Sequence, residues 1–206
     1  MITATISKSV EKSIISKLQK GARGRIIFPS SLRVFGTPAA IRQALKRLCD
    51  KGILIRISHG IYLYPKIDES LGIIYPTIEK IAQVIAKRDH ARIIPTGAYA
   101  LHKLGLSTQI PLNIVFLTDG APRNIQIRNQ NIKFKKTSPK NLATKGKISS
   151  LVIQALREIG KDNATPQQLK KITDLLQNEK LAMIEHDARL APVWISRILL
   201  NAIKVD

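Results

Sequence analysis

The apolar and polar positions are most regular between residues 37 and 64. Apolar residues recur at helical spacing from Ala40 to Cys49, and this periodicity predicts a helix with one apolar face. Thr37 is a good N-cap residue, and Pro38 then occupies the first helical position, where its missing N–H costs nothing. Gly52 follows the last periodic residue and is well suited to end the helix in a left-handed conformation.

Two short alternating runs after that glycine, residues 53–58 and 61–64, predict a β-hairpin with a turn at Ser58-His59-Gly60. The polar face of the preceding helix carries four long side chains in two i,i+4 rows: Arg42, Gln43, Lys46 and Arg47. A basic helix joined by one glycine to a hairpin with polar tips resembles the recognition helix and wing of a winged helix-turn-helix domain. The alternative is a helix and hairpin that serve only as core, with solvated charges.

The residues before this segment fit the same domain type. Periodicity predicts a helix over residues 9–20, a short strand over 25–28 and a short helix over 30–34. The resulting order is helix, strand, short helix, long helix and hairpin, which is the order of a winged helix. We therefore predict a winged helix-turn-helix domain over residues 1–66.

The remainder of the chain predicts a second, mixed domain. Residues 67–76 are rich in turn residues and indicate a linker. The domain that follows, residues 77–206, begins with a helix, a short strand over 91–94, a second helix over 98–104 and a buried strand over 112–117. It continues through a polar hairpin over 124–136 and ends in helices. The predicted fold class is therefore α+β, an N-terminal winged helix followed by a mixed α/β domain with a helical C-terminal end.

Charge then narrows the choice of partner. The 206 residues carry a formal net charge of +20, which favours a polyanion because each neutralised phosphate releases counterions. In residues 1–66, thirteen Lys and Arg residues against two acids give +11. Residues 119–147 form a second basic stretch, with eight basic residues against Asp119. The concentration of basic residues in residues 1–66 favours a dedicated DNA-binding domain over a generally basic protein.

The sequence gives nine candidate DNA-binding residues, with three roles. The helix supplies candidates for the major groove, where Arg or Lys can bind guanine and Gln can bind adenine; one of the four helix side chains could instead pack against the first helix. The hairpin supplies candidates for phosphate or minor-groove contact, and the arginines before the helix are candidate phosphate clamps. In chain order the nine are Arg23, Arg25, Arg33, Arg42, Gln43, Lys46, Arg47, Arg56 and His59.

Several other functions lack their residues. Cys49 is the single cysteine, which excludes an internal disulfide and a cysteine-based zinc site. His90, His102 and His186 have no metal-ligand spacing, so we predict no metal and no cofactor. Asp119 follows a buried strand, as in some nucleases, but the next acid is Glu158, and metal-dependent phosphodiester chemistry needs converging acids. We therefore expect a protein that is not an enzyme.

The predicted location follows from the apolar pattern. No stretch approaches the roughly 20 apolar residues of a membrane span. Lys8, Glu11 and Lys12 stand where a signal peptide would need its apolar run. We expect a cytoplasmic protein.

Two stretches together resemble the AbiEi-type antitoxins of type IV toxin–antitoxin systems. One is the helix and hairpin, AIRQALKRLCDKGILIRISHGIY; the other is Pro95-Thr96-Gly97-Ala98-Tyr99-Ala100-Leu101, followed by Gly105-Leu106-Ser107. The resemblance covers most of residues 9–137. It implies a winged helix that binds operator DNA and represses its own operon, and a C-terminal domain that counteracts a nucleotidyltransferase-type toxin without a required stable complex. Two alternatives stay open: a plain winged-helix regulator with a ligand- or partner-sensing C-terminal domain, and a metal-dependent nuclease.

Overall fold

The structure is a computed structural model that describes residues 9–203. Lys8, one of the residues that argue against a signal peptide, lies outside the described residues. The chain divides into two compact units with the boundary between Val84 and Ile85. Both contain helices and strands, so the predicted α+β class is confirmed. Within the described residues, no helix combines the length and apolar character needed to cross a bilayer.

The helices of the first unit form where the local signals place them. Helix α1 is Val10–Gln19, a 3-10 helix spans Pro29–Phe35, and α2 is Pro38–Asp50. The Thr37 hydroxyl accepts the Ala40 N–H at 3.3 Å, which caps α2 as predicted. Gly52 has φ of +68°, the left-handed conformation expected after the helix.

Three strands complete the core of this unit. They are β1 (Arg25–Ile27), β2 (Ile55–Ser58) and β3 (Ile61–Tyr64), and they pair antiparallel in the order β1-β3-β2. Register shifts between Arg56 and Ser58, so the hairpin is irregular next to its turn. The core contains the apolar faces of α1 and α2, including Ile14, Ile41 and Leu45, each at most 1% exposed.

Residues 67–76 are not the irregular linker that their turn residues indicated. Most of them belong to an antiparallel hairpin of β4 (Lys66–Asp68) and β5 (Gly72–Ile74). The next helix, α3, is Ile78–Arg88, so the unit boundary falls inside a helix and about eight residues beyond the predicted linker. The boundary was misplaced because the same glycine and acidic residues that are typical of linkers also make a tight hairpin loop.

The sheet of the second unit has the order β6-β7-β9-β8. Its strands are β6 (Ile93–Thr96), β7 (Asn113–Thr118), β8 (Arg123–Ile127) and β9 (Gln130–Lys136). Strands β7 and β9 are parallel, and the other pairs are antiparallel. The predicted polar hairpin is therefore present as β8 and β9.

Helices supply the rest of the second unit. They are α4 (Ala98–Lys103), α5 (Lys147–Ile159), α6 (Pro166–Leu176), α7 (Leu181–Ala188) and α8 (Val193–Ala202). Their apolar faces form one core that contains Val152, Leu156 and Leu199. Helix α7 was not predicted, because its eight residues carry a weak apolar pattern, with charged residues at two positions near its end, Glu185 and Asp187.

Candidate nucleic-acid interface

A cleft of about 800 Å³ lies between α2 and the β2–β3 hairpin of the first unit. Six of the nine predicted DNA-binding residues line it, and all six are exposed. They are Arg33, Arg42, Gln43, Lys46, Arg56 and His59. The structure thus brings together side chains from three elements that are up to 26 residues apart in sequence.

The side of α2 that faces the cleft is set by its helical repeat. Arg42, Gln43 and Lys46 are exposed, whereas Ile41 and Leu45 next to them are buried in the core. The core therefore fixes which side chains the helix presents, because rotating α2 would expose its apolar face. The result is a rigid scaffold with long polar side chains directed outward.

The hairpin contributes a pair of side chains at its turn. Nη2 of Arg56 lies 3.1 Å from Nδ1 of His59, across the Ser58-His59-Gly60 turn. Since a guanidinium only donates hydrogen bonds, Nδ1 accepts this one, and the ring proton is on Nε2. Gly60 has φ of +69°, which the tight turn requires. The turn therefore presents one fixed cation and one imidazole N–H.

Two groups deeper in the cleft are held neutral. Burial raises the pKa of the Tyr62 hydroxyl, and burial together with the nearby charge of Asp50 raises the pKa of the Cys49 thiol. Both line the cleft and neither adds charge at neutral pH. The charged groups are four Lys and Arg residues against Asp50, so the cleft carries a net positive charge.

Arg47 is the helix side chain that lies apart from the cleft. Its Nε donates to Oε2 of Glu11 at 2.8 Å, and Nζ of Lys51 donates to Oε1 at 2.5 Å. Arg47 is therefore the member of the four that faces the first helix, an outcome that the sequence had left open. The prediction that it reads bases is not supported, because the Nε of its guanidinium is committed to a carboxylate.

Arg23 and Arg25 are also turned toward the protein itself. Nη2 of Arg25 donates to the carbonyl oxygens of Lys17 and Leu18, both at 2.8 Å, at the C-terminal end of α1. Nη1 of Arg23 donates to the Pro65 carbonyl at 3.4 Å, and its guanidinium lies over the Tyr64 ring. Their predicted role as phosphate clamps is not supported, because these groups cap a helix and brace a strand end.

The second unit shows no comparable convergence around the residues that the sequence singled out. Tyr99 packs edge-on against Phe116, with ring centroids 5.9 Å apart. The Thr96 hydroxyl is 3.0 Å from Oε1 of Gln154, a side chain that is 2% exposed. This Thr-Gly-Ala-Tyr stretch thus joins the sheet to the helical core, which is a structural role.

Asp119, the nuclease candidate, is neutralised by Arg92. Its two oxygens accept hydrogen bonds from the Arg92 backbone N–H at 2.7 Å and from Nε at 2.9 Å. The hydrogen bonds from Arg92 lower the pKa of this carboxyl. Among residues 9–203, no group of three His, Cys, Asp or Glu side chains is placed to hold a metal ion.

Only part of the second basic stretch, residues 119–147, forms an exposed cationic surface on the sheet. Lys133 and Lys135 are exposed on β9, whereas Arg123 pairs with Asp89 and lies over the Phe134 ring. Arg123 therefore belongs to a structural ion pair and does not contribute to an exposed cationic surface.

Sequence reasoning missed an acid network that caps α5. Helix α5 starts after Gly146, which has no side chain to cap it. Asp187, fully buried, accepts hydrogen bonds from the N–H groups of Lys145 and Gly146 at 2.8 and 2.9 Å. Glu179 accepts those of Ile148 and Ser149 at 3.0 and 2.7 Å. Two carboxylates thus satisfy four N–H groups at the start of the helix.

The fold and the cleft define a two-unit α+β chain with a basic groove on its N-terminal unit. The chain belongs to DUF6088, a family of unknown function, which it matches over residues 13–184. The chain is also similar to a solved structure, the crystal structure of the RV2827C protein from Mycobacterium tuberculosis, with a TM-score of 0.45 and 12% identity. That alignment covers 95% of this chain and 82% of the other. A comparison with curated proteins found no match.

Proposed function

We propose that this protein binds double-stranded DNA through its N-terminal unit, which is a winged helix with α2 as recognition helix and the β2–β3 hairpin as wing. The observation that carries the proposal is the cleft in which Arg33, Arg42, Lys46 and Arg56 converge with a single acid. Four exposed cations on one surface repel each other, and the phosphates of a DNA backbone would neutralise them. This function also puts the protein in the cytoplasm, where operator DNA is found.

The roles of the side chains follow from the geometry of B-DNA. The major groove is about 12 Å wide and admits one helix. Arg42 and Lys46 are suited to guanine O6 and N7 or to phosphate, and Gln43 to adenine N6 and N7. Arg33 and Arg56 flank the helix and are suited to phosphates on either side of the groove. His59 adds an N–H donor at the tip of the wing.

Fluorescence anisotropy with the duplex upstream of the protein's own gene tests this proposal. We expect affinity to fall steeply with salt, and Lys46→Ala to weaken binding and reduce the slope of log K against log salt by about 1. Lys80→Ala removes the same charge from an exposed position outside the cleft and is the matched control. Equal losses in both variants would contradict the assignment to the cleft.

For the whole chain we propose an antitoxin role, in which the DNA-binding unit represses its own operon and the second unit counteracts a nucleotidyltransferase-type toxin. Its support is the resemblance of the helix–hairpin segment and the Thr-Gly-Ala-Tyr stretch to AbiEi-type antitoxins. Co-expression with the product of the adjacent gene should relieve growth arrest. The Lys46→Ala variant should still relieve it, since that residue lies in the cleft.

The main alternative is a plain winged-helix regulator whose second unit senses a ligand or partner. Absence of relief in the co-expression experiment, together with retained DNA binding, would favour this alternative. The nuclease alternative loses support because both oxygens of Asp119 are hydrogen-bonded to Arg92. Magnesium-dependent nicking of DNA that is lost in Asp119→Ala would restore it.

A further inference from the structure

The β4–β5 hairpin, residues 66–74, exposes an apolar surface on a strongly basic protein. Among residues 9–84, four large apolar side chains are exposed, and three of them lie on this hairpin. Ile67 is 63% exposed, Leu71 76% and Ile73 41%. Ile67 and Ile73 are direct cross-strand partners and therefore share one face of the hairpin.

The hairpin is a formed element and not a loose segment. Oδ1 of Asp68 accepts hydrogen bonds from the N–H groups of Ser70 and Leu71, both at 3.0 Å, and from the Ser70 hydroxyl at 2.7 Å. Gly72, the first residue of β5, has φ of +70°, a left-handed conformation that suits glycine where the chain turns back. An isolated two-stranded hairpin is marginal in water, so a structured one with an exposed apolar face indicates a binding surface.

A groove lined by both apolar and polar side chains adjoins this surface. It has a volume of about 310 Å³, and Ile67 lines it together with Ile15, Ile53 and Pro65. The groove and the hairpin face therefore share Ile67. A partner on the hairpin face would therefore reach the groove through Ile67.

The charges of the hairpin indicate which partner fits. Residues 66–74 carry Asp68 and Glu69 at the tip and Lys66 at the base, a net charge of −1 in a chain of +20. Arg23, also at the base, donates to the Pro65 carbonyl and lines the groove. A second hairpin that runs in the opposite direction would place its acidic tip beside Lys66 and Arg23, at the base of the first. The pattern is self-complementary, as a two-fold contact between identical surfaces demands.

We infer that the β4–β5 hairpin is the contact between two copies of this chain. The two hairpins pack face to face about a two-fold axis, Ile67 and Ile73 of each copy cover those of the other, and the tip carboxylate of Glu69 in each copy pairs with Lys66 of the other. The weak charge of the hairpin matters because two copies that each carry +20 repel one another elsewhere. This inference does not depend on DNA binding.

Sedimentation velocity of the nuclease-treated full chain, without DNA and over about a hundredfold range of concentration, tests the apolar contact. We expect a concentration-dependent dimer. The Ile67→Ser, Ile73→Ser double variant should weaken dimerisation at least about tenfold. The matched control is Val34→Ser, which alters a side chain that is 80% exposed elsewhere in the same unit. A monomer at every concentration, or a dimer that the double variant leaves unchanged, would overturn the inference.

A charge-exchange experiment tests the direction of the two hairpins. Lys66→Glu and Glu69→Lys should each weaken self-association, because each places like charges together twice in the dimer. An equimolar mixture of the two variants should recover dimers, since a mixed dimer pairs opposite charges at both contacts. Recovery would show that the two residues meet between copies, because a contact within one hairpin cannot be repaired by mixing. Failure of the mixture to recover dimers would contradict the two-fold arrangement. Binding of DNA is not part of either readout, so each proposal can fail alone.

Discussion

Glu11, in the first turn of α1, accepts a hydrogen bond from Nε of Arg47 on α2 at 2.8 Å. The same carboxylate accepts from Lys51 at 2.5 Å. This ion triad divides the cations of residues 42–51 into two sets. Arg47 and Lys51 hold α1 and α2 together, whereas Arg42 and Lys46 face the cleft.

Arg42→Ala and Arg47→Ala should therefore have different consequences. If Arg42 makes a bidentate base contact, its loss should weaken DNA binding by about 1–3 kcal/mol and relax specificity at one base pair. Arg47→Ala should weaken binding much less. Anisotropy titrations of both variants at one salt concentration measure this difference. A larger loss for Arg47 than for Arg42 would reverse the assignment.

The triad also predicts a pH dependence of stability. Hydrogen bonds from Lys51 and Arg47 lower the pKa of Glu11 in the folded protein. A carboxyl with a lowered folded pKa contributes stability above its unfolded pKa, and this contribution is lost as pH falls through the folded value. Glu11→Gln should thus unfold at a lower temperature than the parent at pH 7, and the difference between the two melting temperatures should shrink as pH falls below about 4.3, the usual pKa of glutamate. A constant difference across that range would exclude the ionised carboxylate as its cause.

The buried carboxylate of Asp187 should be a major determinant of stability in the second unit. Asp187→Ala leaves the N–H groups of Lys145 and Gly146 and the Ser149 hydroxyl without their acceptor. Buried donors without partners cost about 1–3 kcal/mol each, so the loss of the acceptor for the two buried ones, at Gly146 and Ser149, should lower the free energy of unfolding by about 2 kcal/mol or more. Urea denaturation measures it. Glu185→Ala, on the exposed side of the same helix, is the control and should be nearly neutral.

Gly52 connects α2 to the wing in a conformation that other residues tolerate poorly. Its φ is +68°, and a Cβ atom there would meet nothing within 4 Å. Gly52→Ala should therefore cost about 1–2 kcal/mol from backbone strain alone, with no steric clash. Gly52→Asn should cost less, because asparagine accepts the left-handed region more readily. Chemical denaturation of the parent and the two variants gives their order of stability. Equal stabilities would show that the backbone at residue 52 relaxes.

Local signals in the sequence predicted most of the helices and strands. Thr37 and Pro38 define the start of α2, where the Thr37 hydroxyl accepts the Ala40 N–H. These signals act over three or four residues, so they can be read without the fold. Six of the nine candidate DNA-binding residues also converge, because helical periodicity and hairpin register fix which side chains share a surface.

What the sequence could not predict depends on contacts between distant residues. The pairing of Glu11 with Arg47 spans 36 positions, and nothing near either residue indicates it. Arg25 looks like a phosphate ligand until its guanidinium is seen on the end of α1. An exposed arginine in a basic protein has many possible partners, and only the folded chain shows which one it has.

The carboxylates that cap α5 come from far downstream, at Glu179 and Asp187. During synthesis, the start of α5 therefore leaves the ribosome more than thirty residues before its caps do. The helical core of the second unit cannot be completed until α8 has emerged, because Leu199 of that helix belongs to the core. Nascent or prematurely terminated chains would then carry a finished N-terminal unit and an unfinished second one.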